Sequence, residues 1–358
     1  MSTITIRTSR PYDVVVEEGL LQNSGIISRK VTGTCKVCII SDKTVHDQYM
    51  PMVEASFSQA GYNVRKAVVP EGEASKSLNT FRNLLDYLAQ EEFTRKDILV
   101  ALGGGAIGDI AGFTAACYLR GIPYIQIPTT LLAAVDGSIG GKTGVNLDAG
   151  KNLAGAFWQP SLVLYDPQTA GTLSESVFLD GLAEVIKCGA ISGNDLFTYV
   201  ARGEEQDFTK FITHCTHQAM RIKKDLVEQD EKDTGVRQLL NFGHTGGHAI
   251  EKCSNYTISH GAAVAMGMMI SAKAAHALGW SRYDCSLAIG NVLDKYGFTK
   301  DCDFTAEQLT QAALHDKKRK GDNISLVIPL KIGECALMDV PLSVLHDFFK
   351  AGVTPQSK

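Results

Sequence analysis

The segment DILVALGGGAIGDIAGF, residues 97–113, constrains the fold more than any other. A run of aliphatic residues ends in Gly103, Gly104, Gly105 and Gly108, and an apolar helical pattern follows at once. The spacing is G-x-G-x-x-G between a strand and a helix. Glycines there let backbone N–H groups approach a pyrophosphate at a helix N-terminus, where the helix dipole favours an anion. The motif follows the fourth strand signal rather than the first, and no acid stands at the usual offset of about 20 residues. A close-packed strand-to-helix turn is the alternative reading.

Short β-branched runs surround this segment: VVVE at 14–17, KVCIIS, VRKAVV, YIQIPT and LVLYD at 162–166. They alternate with stretches at 44–61 and 77–92 whose apolar residues (Phe81, Leu84, Leu85, Leu88) recur at helical spacing. Such alternation implies a parallel sheet with crossover helices on both faces. From about residue 175 the strand signals fade, and amphipathic stretches at 177–191, 210–227 and 243–251 take over. The expected organisation is α/β: a Rossmann-like parallel-sheet domain over 1–174, then a mostly α-helical domain over 175–358. ISLVIPLKIG predicts a short strand pair, and AGVTPQSK a frayed tail.

Composition limits the function. Thirty-five Lys and Arg against thirty-nine Asp and Glu give a net charge of −4 without a basic stripe, which argues against nucleic acid as a general partner. The apolar stretch at 262–272 is too short to cross a bilayer, so no membrane partner is expected. The N-terminus lacks the apolar core of a signal peptide, and the nine cysteines are mostly scattered singly. Both features predict a cytoplasmic protein with reduced thiols. Cys35-x-x-Cys38, at the edge of a strand signal, reads as two buried thiols.

Four further clusters could carry chemistry. The PEGEASKS loop holds Glu73 and Lys76, which could bind a ribose or a charged head group; a solvated turn is the default explanation. The stretch IPTTLLAAVDGSIGGKTGVNLDAGKNLAGAF reads as a loop in which Thr129, Thr130, Asp136, Lys142, Asn146, Lys151 and Asn152 converge on an anionic, hydroxylated ligand. In GLAEVIKCG, Glu184 and Lys187 share one face of an otherwise apolar helix, where an unpaired charge would be expensive. Finally, RQLLNFGHTGGHAIEKCSNYTISHGAAVAMGMM holds Arg237, Asn241, His244, His248 and His260. Three histidines with a carboxylate from elsewhere would suit Zn²⁺ with an open position. Spacing alone pairs His244 with His248, four apart, but the Glu of H-E-x-x-H is missing. The basic run HDKKRKGD is by default a solvated turn, although one of its lysines could reach an anion.

Together and in this order, these motifs resemble the sugar-phosphate cyclase family, and within it the 3-dehydroquinate synthases. GGGAIGDIAGF, YLRGIPYIQIPTTLLAAVDGSIGGKTGVN, GKNLAGAF, GLAEVIKCG, DEKDTGVRQLLNFGHTGGHAIE, HGAAVAMGM and HDKK carry the resemblance over nearly the whole chain. It implies an N-terminal NAD-binding domain, a C-terminal helical domain holding the metal, and a substrate cleft between them. The ligands of Zn²⁺ (or Co²⁺) would be Glu184, His244 and His260, with His248 left near the substrate phosphate. NAD contacts would be Asp42, Glu73, Lys76, Gly104, Gly105, Asp109, Thr129, Thr130 and Thr172, joined by Asp136, Lys142 and Lys151. Lys142, Lys151, Asn152, Lys187, Lys223, Arg237, Asn241, His248 and Lys317 or Lys318 would meet the substrate. Arg120 would reach the phosphate across a homodimer interface.

The implied substrate is a small sugar phosphate, 3-deoxy-D-arabino-heptulosonate 7-phosphate. Several cationic side chains would meet its anionic ends, which reconciles an acidic protein with an anionic ligand. The implied sequence is transient oxidation by NAD⁺, phosphate elimination with the phosphate's own oxygen as base, reduction, and intramolecular aldol closure to 3-dehydroquinate. Asp136, Lys142, Lys187, Lys223, Arg237, Asn241 and His248 are the expected catalytic group. A sister cyclase acting on another sugar phosphate, or a non-catalytic NAD- or metal-binding homologue, are the competing readings. The chain departs from the family pattern at Gly246, where an aromatic is usual, and at Ala262, where the pattern H-G-E has an acid. Gly137 and Ser174 also differ from the pattern.

Overall fold

The computed structural model describes residues 2–314 and 319–353. The chain divides into two compact units, Met1–Leu173 and Ser174–Lys358. Strands and helices are numbered in chain order. In the first unit these are β1 (Ser2–Ile6), β2 (Tyr12–Val16), α1 (Ser24–Ser28), β3 (Lys36–Asp42), α2 (Lys43–Gln59), β4 (Asn63–Val69) and α3 (Leu78–Gln90). They continue as β5 (Ile98–Gly103), α4 (Gly105–Cys117), β6 (Tyr124–Pro128), β7 (Lys142–Leu147), β8 (Gly150–Phe157) and β9 (Leu162–Tyr165).

Seven of these strands form one sheet in the order β1-β2-β9-β6-β5-β3-β4. Side chains alternate across it with a period of two. Val37, Ile39, Val100 and Leu102 pack on one face with Val45, Val53 and Phe57 of α2. Cys38, Ile40, Leu99 and Ala101 pack on the other with Leu84 and Leu88 of α3 and Ile107 and Ile110 of α4. Each large aliphatic side chain buried this way contributes about 1.5–3 kcal/mol, so the two-faced burial fixes β5 and the start of α4 firmly.

Two expectations change. The sheet is not wholly parallel, because β1 pairs antiparallel with β2 at its edge. Its signal was short: only Ile4 and Ile6 of STITI face the core. The glycine-rich stretch after β6 is not a loop throughout, since β7 and β8 form an antiparallel hairpin. Its glycines permit close strand approach. A Cβ at Gly155 would lie 2.1 Å from the Thr143 carbonyl oxygen, and one at Gly112 of α4 would lie 2.5 Å from Thr143 Cγ2.

The second unit contains α5 (Glu175–Ser192), α6 (Asn194–Arg202), α7 (Phe208–Gln229), α8 (His244–Cys253), α9 (His260–Ala277), α10 (Ser286–Lys295) and α11 (Ala306–Ala313). After them come β10 (Arg319–Lys320), β11 (Asn323–Lys331), β12 (Glu334–Pro341) and α12 (Leu345–Gly352). The expected strand pair is the β11–β12 hairpin, turning through Gly333 at φ 85°. The first two residues of the expected tail, Ala351 and Gly352, close α12, and 354–358 lie outside the described residues. Among the described residues no helix is long and apolar enough to cross a membrane.

Candidate metal centre and nucleotide cradle

The candidate metal centre is built on α5. Glu184 and Lys187 lie three residues apart on its buried face, each 1% exposed, and the Lys187 ammonium pairs with Glu184 Oε2. The other carboxylate oxygen, Oε1, is buried without a hydrogen-bond partner. An unsatisfied buried acceptor costs about 1–3 kcal/mol, and more when it is charged. Facing Oε1 are His244 Nε2 at 3.6 Å and His260 Nε2 at 3.8 Å. His244 Nδ1 is 3.1 Å from the Phe242 carbonyl oxygen. A carbonyl only accepts, so Nδ1 carries the proton and Nε2 keeps its lone pair.

One donor atom from each of Glu184, His244 and His260 lies within 4.8 Å of the others. One carboxylate and two imidazoles around an orphaned oxygen fit a divalent ion with a coordination position left open. His248 is outside this group. It is exposed one turn along α8, its ring centroid 5.4 Å from His244 and 6.3 Å from His260. Geometry therefore groups His244 with His260 rather than with His248, the pair that spacing alone suggested.

Glycines bring α8 and α9 together. A Cβ on Gly267 would lie 1.9 Å from the Gly243 carbonyl oxygen and 2.7 Å from Gly247 N. One on Gly246 would lie 3.0 Å from Gly267 Cα. Gly246 thus serves the helix seam, which accounts for its departure from the aromatic of the family pattern. The first turn of α9 is tied to α5 as well: Asp180 Oδ1 accepts from Ser259 Oγ at 2.6 Å and from Gly261 N at 2.8 Å.

Among the described residues of this unit three cations are buried: Lys187, Lys223 on α7, and Arg237 in the turn Val236–Asn241. Arg237 Nη1 donates to the Glu231 carbonyl oxygen at 2.6 Å. Its backbone is held by Asp230, whose carboxylate accepts from the N–H groups of Thr234 (3.0 Å), Gly235 (2.6 Å) and Arg237 (3.2 Å). Burial alone would raise the Asp230 carboxyl. The backbone donors and the Thr234 hydroxyl outweigh it and hold the group below its ordinary value of 3.8. Asn241 ends the same turn. Sequence reasoning missed Asp230, although an acid followed by a polar turn is the usual signal for such a side-chain-closed loop. Lys317 and Lys318 lie outside the described residues.

In the first unit, the buried β5 strand delivers Gly104 as the extended N-cap of α4. A Cβ on Gly105 would meet nothing within 4 Å, whereas one on Gly108 would meet Gln126 Oε1 at 2.8 Å. The two glycines therefore differ: Gly105 leaves space at the helix N-terminus, and Gly108 packs on β6. Thr129 Oγ1, just after β6, is buried without a hydrogen-bond partner. Thr130 Oγ1 accepts from Ala133 N at 3.1 Å and starts the turn that carries Asp136. An open helix N-terminus beside an orphaned hydroxyl fits a pyrophosphate-bearing nucleotide.

Lys76 is not in a solvated turn. It is 5% exposed, and its Nζ donates to Asp109 Oδ2 at 2.7 Å and Asn152 Oδ1 at 2.5 Å, with Glu73 Oε2 at 3.7 Å. Burial pushes the Asp109 carboxyl up, and the Lys76 ammonium opposes it. Glu73, Lys76, Asp109 and Asn152 are thus brought together. Asp42 and Thr172 take part in other bonds. Asp42 caps α2 by accepting from Val45 N at 2.9 Å, and Thr172 Oγ1 bonds Tyr49 Oη at 2.5 Å. Lys142 opens β7, Lys151 and Asn152 lie in β8, and Arg120 is exposed after α4. The cysteines are free thiols, with Cys38 buried and Cys35 half-buried.

An α/β sheet with a glycine-lined helix N-terminus, and a helical unit bearing a two-histidine, one-glutamate cluster, define a metal-binding enzyme with a nucleotide cradle. The models described as 3-dehydroquinate synthase N-terminal and C-terminal match residues 66–180 and 181–319. The chain is 41% identical to a 3-dehydroquinate synthase of Enterococcus faecalis over 349 residues, 97% of each protein. It therefore belongs to the 3-dehydroquinate synthase family. Among solved structures, 2-deoxy-scyllo-inosose synthase complexed with carbaglucose-6-phosphate, NAD⁺ and Co²⁺ matches with a TM-score of 0.88 and 26% identity, covering 98% of this chain and 100% of that one. A 2-epi-5-epi-valiolone synthase from Streptomyces hygroscopicus with NAD⁺ and Zn²⁺ bound matches with a TM-score of 0.85 and 25% identity, covering 97% of both chains.

Proposed function

We propose that this protein converts 3-deoxy-D-arabino-heptulosonate 7-phosphate to 3-dehydroquinate and inorganic phosphate, using NAD and a divalent ion, Zn²⁺ or Co²⁺. The observation that carries the choice of substrate is the near-full-length identity of 41% to a 3-dehydroquinate synthase, against 25–26% to the sister cyclases. When bound, NAD supplies a reversible hydride acceptor, and a divalent ion at Glu184, His244 and His260 supplies a Lewis acid for the oxygen of the reacting carbinol carbon.

The chain's own residues bind, orient and neutralise. Gly104, Gly105, Thr129 and Thr130 line the cradle for the dinucleotide, with Lys76 held by Asp109 and Asn152. Asp42, Glu73 and Thr172 complete the nucleotide contacts, and Asp136, Lys142 and Lys151 border nucleotide and substrate. Lys187, Lys223, Arg237, Asn241 and His248 take the anionic ends of the substrate. Asn152 and the Lys317–Lys318 pair add contacts, and Arg120 reaches the phosphate from the second subunit of a homodimer. Cations already held by protein dipoles, as Arg237 is, need little reorganisation when the anion arrives. The free thiols support a cytoplasmic location.

The test is phosphate release from the heptulosonate phosphate by the purified protein with NAD⁺ and Zn²⁺, beside an EDTA-treated sample. Stoichiometric phosphate and dehydroquinate without net NADH, abolished by EDTA, are expected. Absence of phosphate release with NAD and metal both bound would refute the substrate assignment.

A further inference from the structure

The metal-centre reading gives the buried acid Glu251 no role. Glu251 lies seven residues after His244 on α8, two turns along the same face, and its side chain is 8% exposed. Its Oε2 is 3.4 Å from His260 Nδ1. We propose that Glu251 is a positioning residue: it accepts the Nδ1–H of His260 and thereby turns Nε2 toward the metal.

The argument begins with tautomers. A carboxylate oxygen accepts, so the imidazole nitrogen facing it carries the proton, and the lone pair falls on the other nitrogen. For His260 that nitrogen is Nε2, 3.8 Å from the orphaned Glu184 Oε1. His244 has the same arrangement, with the Phe242 carbonyl on Nδ1 and Nε2 3.6 Å from Glu184 Oε1. The two histidines present the same nitrogen to one carboxylate oxygen, one steered by backbone and the other by a side chain.

Their surroundings explain the difference. His260 is the first residue of α9 and is 31% exposed, against 12% for His244, so its ring has more freedom to lose. Asp180 fixes only the backbone of that turn, through Ser259 and Gly261. The ring itself needs a separate acceptor. Position 262, where the family pattern has an acid, is alanine, and the carboxylate at the imidazole is that of Glu251 on α8. Acceptors behind a metal-bound imidazole orient the ring, and their loss lowers metal affinity by about 10–100-fold.

This inference rests on the metal-centre reading, and the test separates the two. Zn²⁺ affinity of the metal-free protein is measured by competition with a chromophoric chelator for wild type, Glu251→Gln, Glu251→Ala and His260→Ala. The visible spectrum of the Co²⁺-loaded form is recorded for each. Glu251→Ala is expected to bind Zn²⁺ about 10–100-fold more weakly with an altered Co²⁺ spectrum. Glu251→Gln, which keeps an acceptor oxygen, should recover most of both. Wild-type affinity in Glu251→Ala, with binding abolished in His260→Ala, would overturn the role of Glu251 and leave the metal centre standing. Undiminished Zn²⁺ binding in His260→Ala would overturn the metal centre and the inference with it. Imidazole ¹⁵N shifts in histidine-labelled, metal-free wild type give a check that needs no variant to fold. His260 protonated on Nδ1 is expected, and protonation on Nε2 alone would overturn the assignment.

Discussion

Gly267→Ala sets two elementary effects against each other. In a helix interior, alanine is favoured over glycine by about 1 kcal/mol, and Gly267 lies in the middle of α9. Helix propensity alone therefore predicts a more stable protein. The seam with α8 predicts the opposite, because the new Cβ would sit 1.9 Å from Gly243 O and 2.7 Å from Gly247 N. Non-bonded carbons pack best at about 3.5–4.0 Å, so relief requires the helices to part by roughly 1.5 Å. Both obstructing atoms are backbone, and no rotamer change removes them. Overpacking of this kind costs about 1–3 kcal/mol where side chains can give way, and more is expected where they cannot. The net effect should be destabilisation by at least ~2 kcal/mol. The same separation moves His244, next to Gly243, away from His260, so Zn²⁺ affinity should fall at least tenfold. Urea unfolding of the metal-free protein and chelator competition measure the two effects. Gly290→Ala in α10 is the control, since the atoms nearest its Cβ would be Met269 and Lys300 side-chain atoms at 3.5–3.7 Å, ordinary van der Waals contact. That control should be neutral or stabilising. A Gly267→Ala protein as stable as wild type, or one that loses stability while binding Zn²⁺ normally, would refute the argument that this seam sets the site.

Other perturbations address other parts of the molecule. Lys142→Ala should raise KM for the sugar phosphate at least tenfold while NAD still binds, measured by initial rates and nucleotide fluorescence quenching; an unchanged KM would remove Lys142 from the anion site. Asp230 has a folded-state carboxyl held below its ordinary 3.8, so its contribution to stability is complete above that value and is lost as pH falls through the lower folded value. Asp230→Asn should therefore lower the melting temperature at pH 7, with the gap to wild type narrowing as pH falls below 3.8, and a gap independent of pH would count against the backbone-bonded carboxylate. Burial pushes the Cys38 thiol up to about 12, with the Glu91 charge adding to it. Iodoacetamide at pH 7.5 should thus label exposed Cys117 in the folded protein and reach Cys38 only after unfolding, as read by peptide mass spectrometry.

The parts of the fold that sequence makes legible are those with strong periodicity. β3 to β6, β9 and the long helices α5 and α7 announce themselves through runs whose burial is uniform or regularly spaced. β1 escapes because two isoleucines in five residues are a weak alternation at a sheet edge. The β7–β8 hairpin escapes because its strands are rich in glycine, which lowers strand propensity, while its close pairing requires the absence of side chains. At the site, Glu184, His244 and His260 are legible as a set through the family resemblance, but not from local spacing. A four-residue helical spacing favours His248, whereas the crossing of α8 and α9 brings His260, sixteen positions away, to group its donor atom with those of His244 and Glu184. Nothing local separates Glu251 from a solvated acid, and Asp230 carries only the weak signal of an acid before a polar turn.

The electrostatics of the centre show why such acids matter. His244 and His260 are the first residues of α8 and α9, so both candidate ligands sit where a helix presents its positive end, equivalent to roughly half a charge. Lys187, paired with Glu184 Oε2, largely offsets that carboxylate. Two helix N-termini and a lysine are a poor setting for a divalent cation unless further negative charge stands close by. Asp180 supplies it on the first turn of α9 and Glu251 at the His260 imidazole. Neither needs to touch the ion to do so: Glu251 is buried, where a charge one side chain away is only weakly screened, and half-buried Asp180 acts more weakly. Alanine at position 262 therefore leaves carboxylates from α5 and α8 beside the candidate ligands.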